Sequence, residues 1–229
     1  MSSILELDLK LNFIEKYPTS SIFIESLEHV KEEFLPFYLR YHVHGGTPYF
    51  LKDSPFVYEK CKQFIADHLD LNPRDITIIG SRAIGFSMSP PPKFGNAPRE
   101  DSDIDFSIVS EKLFNDLEKV FNEWMKDYSE GKISPDKTEY AKYWLSNSES
   151  VPRNLKRGFI DNYKIPNRYP IRKKTDWVLK KVASYLIKEC SLHSNAKASA
   201  RIYKDWDSFE KQFMLNFLNM QKKVLESGK

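Results

Sequence analysis

The chain has 229 residues, of which 41% are hydrophobic and 29% are charged, and its formal net charge is +3. This length is enough for one domain with a substantial core, or for a compact core with a small helical appendage. No apolar run approaches the ~20 residues that cross a bilayer, and the N-terminus lacks the pattern of a signal peptide, so no membrane span is expected. Cys61 and Cys190 stand alone and far apart, which excludes a zinc cluster and favours a cytoplasmic protein without a disulfide.

The predicted elements are helices separated by a few short strands. The predicted helices cover residues 22–39 (interrupted by Pro36), 55–69, a stretch after Ser110, 140–145, 176–189 after a Thr175 cap, and 207–225. The predicted strands cover 76–79, 103–109 and 198–203. This order predicts an α+β fold, in which a small mixed sheet is flanked by helices, with helical N- and C-terminal additions. No linker divides the chain, so residues 1–229 are expected to form a single domain with its core at about 54–130 and 198–225.

Two helix starts carry clear signals. Ser54 is a candidate cap before Pro55, which suits a first helical turn, and Ser110 is a candidate cap for the helix that follows it. The predicted apolar faces of these two helices are Phe56, Cys61, Phe64, Ile65 and Leu69 in the first, and Leu113, Leu117, Val120, Phe121 and Trp124 in the second.

A proline-rich segment separates the first two strands. Between Ser87 and Arg99 the chain carries Pro90, Pro91, Pro92 and Pro98, residues that neither a helix interior nor a central strand tolerates. The segment is therefore predicted to be an excursion, either a passive insertion or a loop that covers a binding site.

Two acidic residues on the second strand form the first part of a candidate site. Asp103 and Asp105 are two positions apart, so their side chains are expected on the same face of the strand. Two carboxylates held this close repel each other unless a cation lies between them, and Mg²⁺ or Mn²⁺ with hard oxygen ligands meets that need. An Asp-x-Asp pair alone is also common on solvent-facing strands.

The end of the preceding strand forms the second part. Gly80 permits a tight exit from the strand and a close backbone approach to a ligand. The backbone N–H groups of Ser81, Arg82 and Ala83 then begin a turn suited to phosphate, with the Ser81 hydroxyl and the Arg82 guanidinium as further candidates. The alternative is that Ser81 caps a turn and Arg82 faces solvent.

These residues carry a resemblance. A strand ending in Gly80-Ser81, followed by a strand with Asp103-Ile104-Asp105, resembles the DNA polymerase β-like nucleotidyltransferases over about a third of the chain. This superfamily includes polymerases, CCA-adding enzymes, aminoglycoside nucleotidyltransferases, cyclic-dinucleotide synthases, and toxins or antitoxins that nucleotidylate protein or tRNA. The run from Gly80 to Pro90, with Lys93-Phe94-Gly95, is similar to uncharacterised bacterial nucleotidyltransferase-like proteins, some of them associated with phage defence.

The chain departs from this pattern in two ways. The gap between Ser81 and Asp103 is longer than in compact members, and the third carboxylate that active members place on a later strand is not fixed by the sequence. Asp161 is the first candidate because it follows apolar residues, although its surroundings are basic and dotted with proline. Glu139 is a weaker candidate in a helical context, and the strand at 198–203 offers Arg201 instead of an acid.

A basic tract follows. Between Arg153 and Lys174 only Asp161 opposes eight basic residues, and Phe159, Tyr163 and Tyr169 are interleaved with them. Such a tract is typically a solvated surface, but the same pattern stacks bases and neutralises phosphates in RNA-binding proteins. His42 and His44 have no further ligand in view and are interpreted as structural.

The resemblance implies an Mg²⁺-dependent nucleotidyltransferase. It would transfer an NMP from an NTP, with ATP as the first expectation, to an RNA such as tRNA, a protein or a small molecule. Asp103 and Asp105 would hold the metal with Asp161 as the third catalytic acid, while Gly80, Ser81 and Arg82 would hold the nucleotide. The alternative is a catalytically weak or inactive NTP- or RNA-binding module that acts as an antitoxin or a defence-system subunit.

Overall fold

The structure is a computed structural model that describes residues 15–227. Within this range four strands and eight α-helices form an α+β fold with a small mixed sheet and helical flanks, as the sequence predicts. The strands are β1 (Ile76–Ile79), β2 (Ile104–Val109), β3 (Phe159–Asp161) and β4 (Ala198–Tyr203). The helices are α1 (Ser20–His29), α2 (Leu35–Leu39), α3 (Pro55–Leu69), α4 (Ser81–Ile84), α5 (Glu111–Ser129), α6 (Thr138–Lys156), α7 (Pro170–Glu189) and α8 (Trp206–Ser227).

The sheet brings distant parts of the chain together in the order β1-β2-β4-β3. β1 is antiparallel to β2, β2 is parallel to β4, and β3 is antiparallel to β4. The register places Asp105 between Ile79 of β1 and Ser199 of β4. It also places Arg201 of β4 beside Asp161 of β3. Paired residues lie on the same face of a sheet, so these side chains share one face.

The two faces of the sheet differ in chemistry. One face is apolar and lies within the main core formed with α3, α5 and α7, where Ile78, Phe106 and Ile202 are fully buried. The other face is polar at the end that carries Asp105 and Ser199, and apolar at its opposite end. There it joins a second core built with α1, α2 and α8. The candidate acids therefore lie where this face is not covered by the second core.

Helix starts follow the predicted signals in part. Ser110 Oγ accepts a hydrogen bond of 3.2 Å from Leu113 N, which confirms the predicted cap of α5. α3 begins at Pro55 as predicted, but the Ser54 side chain makes no capping hydrogen bond. The prediction that Phe56 is buried is wrong, because it lies in the first turn of α3 and is 75% exposed.

Three helical predictions had wrong boundaries. The stretch at 22–39 divides into α1 and α2, because a 3₁₀ turn at Glu32–Phe34 precedes a new helix with Pro36 in its first turn. α6 extends far beyond the predicted residues 140–145. Thr175 does not cap α7. The helix begins at Pro170, and Thr175 Oγ1 is buried inside it and donates to the Ile171 carbonyl at 2.9 Å.

The proline-rich segment is closed on itself. Gly95 N donates to the Ser87 carbonyl at 2.9 Å, and Ser87 N donates to the Asn96 carbonyl at 2.8 Å. Phe86 stacks edge-on against Phe94, with ring centroids 5.9 Å apart, and both pack against the second core. The segment is thus an excursion, as predicted, and its base is anchored to the fold.

No helix within residues 15–227 combines the length and the apolar composition that crossing a bilayer needs.

Candidate functional site

The candidate site begins where β1 ends at Gly80. Gly80 has φ 80° and ψ −163°, a backbone conformation that favours glycine. A Cβ atom placed on Gly80 would lie 3.2 Å from Asp105 Oδ2. The backbone of the Gly80-Ser81 turn therefore lies directly beside the second carboxylate of the Asp-x-Asp pair.

The turn continues into the single-turn helix α4. Ala83 N donates to the Gly80 carbonyl at 3.0 Å and Gly85 N donates to the Ser81 carbonyl at 2.8 Å, which fixes the turn. The first N–H groups of any helix lack partners within that helix, and here they belong to residues beside Asp105. Ser81 is partly exposed at this position.

Asp105 is held in a defined orientation. Ser199 Oγ donates to Asp105 Oδ1 at 2.8 Å, while Asp105 Oδ2 faces Gly80. Burial raises the pKa of Asp105, the Ser199 hydrogen bond acts against this shift, and the nearby charge of Asp103 adds to it. A cation at this position would relieve both the lost hydration and the repulsion between the two carboxylates.

Asp103 lies at the exposed edge of the site. It precedes β2 and lines an open, polar cavity of about 590 Å³. The other residues of this cavity are Arg99, Asp101, Ser194, Asn195, Ala196 and Lys197. Asp101 pairs with Arg99, whose Nε lies 3.2 Å from Asp101 Oδ1. The site is thus open to solvent on the side of Asp103.

Arg82 occupies a different position from the one expected of a phosphate ligand. Its side chain is buried, its Nε donates to the Ser102 carbonyl at 2.9 Å, and its Nη2 donates to the Glu100 carbonyl at 2.8 Å. Burial lowers the pKa of Arg82, and the charges of nearby Asp103, Asp101 and Asp105 act against this shift. Arg82 therefore supports the segment that leads into Asp103 and adds positive charge behind the acids.

Asp161 lies one strand further from Asp105, because β4 separates β3 from β2. Its carboxylate is buried and ion-paired: Arg201 Nε is 2.7 Å from Oδ1 and Lys164 Nζ is 3.5 Å from Oδ2. The Arg201 guanidinium also lies over the Phe159 ring, at 4.6 Å from its centroid. The position next to Asp105 on the adjacent strand is taken by Ser199 instead of an acid.

The carboxylates of the site offer few ligands for a metal ion. Among residues 15–227, no group of three or more His, Cys, Asp or Glu side chains is arranged to hold a metal. Mg²⁺ commonly takes only one or two carboxylates and completes its octahedron with water and phosphate oxygens. The donor set of Asp103 and Asp105 therefore fits one Mg²⁺ bound together with a phosphorylated ligand, and does not fit a centre built from three carboxylates.

The remaining candidates lie elsewhere. Glu139 is exposed on α6 and lies 4.0 Å from Lys137. His42 is buried in the second core and its Nδ1 lies 3.1 Å from the Lys16 carbonyl oxygen, while His44 packs edge-on against Phe209. Both histidines lie in the helical turn Arg40–His44, outside the sheet.

Sequence reasoning missed Ser199. A serine within a strand carries no signal of its own, and its contact with Asp105 depends on the register between two strands that are 94 residues apart. The predicted strand at 198–203 would have suggested this contact only if its parallel pairing with β2 had been known.

Comparison with known proteins gives no further guide. No protein-family model, no curated protein and no solved structure matches the chain.

Proposed function

We propose that the chain binds a nucleoside triphosphate, ATP first, with Mg²⁺ held by Asp103 and Asp105, and transfers its nucleoside monophosphate to an acceptor. The observation that supports this proposal best is the close approach of the Gly80 turn to the Asp105 carboxylate, whose Oδ2 would lie 3.2 Å from a Cβ atom on Gly80. It joins the two halves of the motif that resembles the polymerase β-like nucleotidyltransferases.

In this proposal each half has a defined task. The triphosphate lies along the Gly80-Ser81 turn, where glycine allows close approach and backbone N–H groups meet phosphate oxygens. Asp103 and Asp105 hold the metal, which when bound neutralises phosphate charge and acts as a Lewis acid. Ser199 keeps Asp105 oriented through its 2.8 Å hydrogen bond. An acceptor hydroxyl then attacks the α-phosphorus in line, and pyrophosphate leaves.

The proposal is tested by label transfer. The purified protein is incubated with each α-³²P-labelled NTP, Mg²⁺ and total cell extract, and the label is traced to protein, RNA or small molecules. The Asp103→Asn, Asp105→Asn double variant should lose transfer. Asp116→Asn, which changes an exposed acid on α5, is the matched control and should retain it. Equal transfer by the double variant and the control would refute the assignment.

A second candidate is a module that binds Mg²⁺–NTP, or RNA, without transferring a nucleotide. The burial of Asp161 and its pairing with Arg201 and Lys164 favour this candidate, because the third acid has its charge compensated inside the protein. Ser199 beside Asp105 favours it as well, because no acid occupies that place. Such a module would act as an antitoxin or as a subunit of a defence system.

Calorimetry and pyrophosphate release separate the two candidates. Both predict Mg²⁺-dependent ATP binding that Asp103→Asn weakens. Only the first predicts pyrophosphate release when extract supplies the acceptor. Binding without release across RNA, protein and small-molecule fractions would favour the module.

We also propose a cytoplasmic location, a compartment in which cysteines remain reduced. Cys61 and Cys190 are both free thiols, and burial raises the pKa of Cys61 to about 12. Cys61 lies in the main core, where it is almost fully buried, and a thiol with such a pKa is not reactive at neutral pH.

A further inference from the structure

A groove lies between α6 and the segment that follows β3. It encloses about 360 Å³, a volume within the range of small-molecule sites. The residues that line it are Asp136, Tyr140, Tyr143, Trp144, Asn147, Tyr163, Lys164, Ile165, Pro166, Asn167, Arg168 and Arg172. Four of these twelve side chains are aromatic. Among the residues that the structure describes, only Ile165 and Pro166 are aliphatic members of the lining.

The tyrosines of the groove are unusually accessible. Tyr140 is 41% exposed, Tyr143 is 56% exposed and Tyr163 is 60% exposed, whereas the core tyrosines Tyr58 and Tyr203 are almost fully buried. Exposed aromatic rings lining a groove are the stacking platforms by which proteins hold unpaired bases, since every base offers a π-face.

Positive charge accompanies these rings. Lys164 and Arg168 line the groove, Lys142 Nζ lies 5.1 Å from the Tyr143 ring centroid, and the only acid in the described lining is Asp136. Arg172 is buried and paired with Asp176, so its charge is already compensated. Lys164 is paired with Asp161, whereas Arg168 and Lys142 are exposed. Exposed rings flanked by exposed cations suit a chain of bases and phosphates.

The wall of the groove is fixed in advance. Asn147 Nδ2 donates to the Lys164 carbonyl at 2.9 Å, which ties α6 to the segment after β3. Arg172 Nε donates to the Ile165 carbonyl at 3.1 Å, which ties the same segment to α7. A preformed groove loses little conformational entropy when a ligand binds.

The groove adjoins Asp161, on the strand at the edge of the sheet. Lys164 lines the groove and lies 3.5 Å from Asp161 Oδ2, while Asp161 pairs with Arg201 on the strand next to β2. Partial burial, followed by the charge of Asp161, raises the pKa of Tyr163. The charge of Asp105 also acts on Tyr163, so a polynucleotide bound in the groove would have one end beside Asp161, on the side of the sheet that carries Asp105.

We propose that this groove binds the single-stranded end of a polynucleotide and that this end is the acceptor of the proposed transfer. The acceptor role rests on the proposed function, whereas the binding itself does not.

The test is fluorescence anisotropy with short labelled oligonucleotides of mixed sequence: single-stranded RNA, single-stranded DNA and duplex RNA. It is run in EDTA without NTP, and repeated in the Asp103→Asn, Asp105→Asn background, so that a failure of the proposed catalysis leaves the result unchanged. Tyr143→Ala, Tyr163→Ala and Arg168→Ala change the groove. Phe56→Ala and Arg74→Ala change an exposed ring and an exposed cation outside it.

We expect single-stranded RNA or DNA to bind in preference to the duplex. Each tyrosine variant should weaken binding about tenfold, which corresponds to about 1.4 kcal/mol. Arg168→Ala should weaken binding and lower the salt dependence by about one released ion. The two control variants should bind like the parent protein. Equal binding of DNA and RNA supports a groove that does not read the sugar.

Three outcomes would overturn the proposal. The first is no binding of either single strand at low salt, and the second is equal weakening by the groove and control variants. The third is tighter binding of the duplex. If no oligonucleotide binds but label transfer to a protein depends on Tyr143 and Tyr163, the groove serves a protein acceptor and the proposal is wrong.

Discussion

Arg201 Nε donates to Asp161 Oδ1 across 2.7 Å and links the two strands at one edge of the sheet. The Asp161 side chain is 5% exposed and that of Arg201 is 30% exposed. Burial acts to lower the pKa of Arg201, but the charge of Asp161 and its hydrogen bond outweigh this and raise the pKa. The pair therefore behaves as an ion pair in which Asp161 is the more deeply buried partner.

Breaking this pair should be costly. We expect Arg201→Met to lower the free energy of unfolding by about 3 kcal/mol, because it leaves a buried carboxylate without its main partner. Asp161→Asn should cost less, since the partly exposed guanidinium can turn to water. The double variant should lose less than the sum of the two single variants. Urea denaturation of the four proteins measures these differences.

An exposed ion pair provides the control. Lys132 lies within reach of Glu130 at the end of α5, and Lys132→Met should change stability by less than about 0.5 kcal/mol. Strict additivity of Asp161→Asn and Arg201→Met would mean that the two side chains do not stabilise each other.

Asp161→Asn also tests the catalytic role that the sequence suggests for this residue. If Asp161 is the third acid, the variant should lose at least about a hundredfold in label transfer while ATP binding is unchanged. The assay is done at a temperature where the variant is fully folded. Retained transfer would assign Asp161 to structure alone.

Removing the charge of Asp105 should abolish Mg²⁺–ATP binding and raise the free energy of unfolding. Burial raises the pKa of Asp105, with Asp103 adding to the shift, so the folded state holds the proton more tightly than the unfolded state does. The contribution of Asp105 to stability is therefore greatest at acid pH and is lost as the pH rises through the raised pKa. At neutral pH we expect Asp105→Asn to stabilise the fold by about 1 kcal/mol.

Thermal unfolding with and without Mg²⁺–ATP measures both the stability and the ligand binding of the Asp105→Asn variant. The ligand should raise the Tm of the parent protein and leave that of Asp105→Asn unchanged. Asp101→Asn is the matched control, because Asp101 is an exposed acid four residues away that pairs with Arg99. Mg²⁺–ATP should still raise the Tm of Asp101→Asn. If it does not, Asp101 contributes to the metal site.

The buried His42 and the partly buried His44 predict acid sensitivity. Burial lowers the pKa of His42 to about 4, and burial with the charges of Arg40 and Lys16 lowers that of His44 to about 4. The unfolded chain takes up these protons near pH 6.5, so stability is full above that pH and falls as the pH drops toward 4. For His42, which is almost fully buried, the loss reaches about 3 kcal/mol.

Urea denaturation between pH 7 and about pH 4 measures this loss. His42→Gln should be less stable at neutral pH but should show a shallower decline with acid. His29→Gln changes an exposed histidine on α1 and should leave the decline as it is in the parent protein. Equal slopes for all three proteins would contradict the assignment to His42.

The strands whose own residues show a hydrophobic strand pattern were predicted from the sequence. β1 and β4 have the predicted bounds, and β2 begins one residue later than predicted, at Ile104. β3 was not predicted, because three residues in a basic tract have no periodicity and become a strand only by pairing with β4. α6 was predicted too short because Val151 is its only fully buried residue in the structure and Pro152 lies inside it, a residue that typically ends a helix.

The candidate site divides in the same way. The Asp103–Asp105 pair and the Gly80-Ser81 turn could each be predicted from the residues, since strand alternation and a single turn are local properties. Only the resemblance grouped the two halves, because their proximity depends on the pairing of β1 with β2. The contacts of Ser199 and Arg201 could not be predicted, because they depend on a register between strands separated by 94 and 40 residues. Arg82 was assigned to phosphate because it follows the turn, but only the fold shows that it donates to two backbone carbonyls.

The Gly80 turn offers the sharpest separation of site chemistry from backbone strain. In Gly80→Ala the new Cβ would have positive φ and would lie 3.2 Å from Asp105 Oδ2, so both the turn and the carboxylate must shift. We expect a loss of about 1–3 kcal/mol in stability, and Mg²⁺-dependent ATP binding should fall below detection.

Gly131→Ala is the matched control, because Gly131 also has positive φ (69°) but a Cβ there would meet no atom within 4 Å. It should lose stability to a similar degree and bind ATP like the parent protein. Calorimetry on both folded variants decides the matter: if Gly80→Ala binds Mg²⁺–ATP as tightly as Gly131→Ala does, the triphosphate does not lie along this turn.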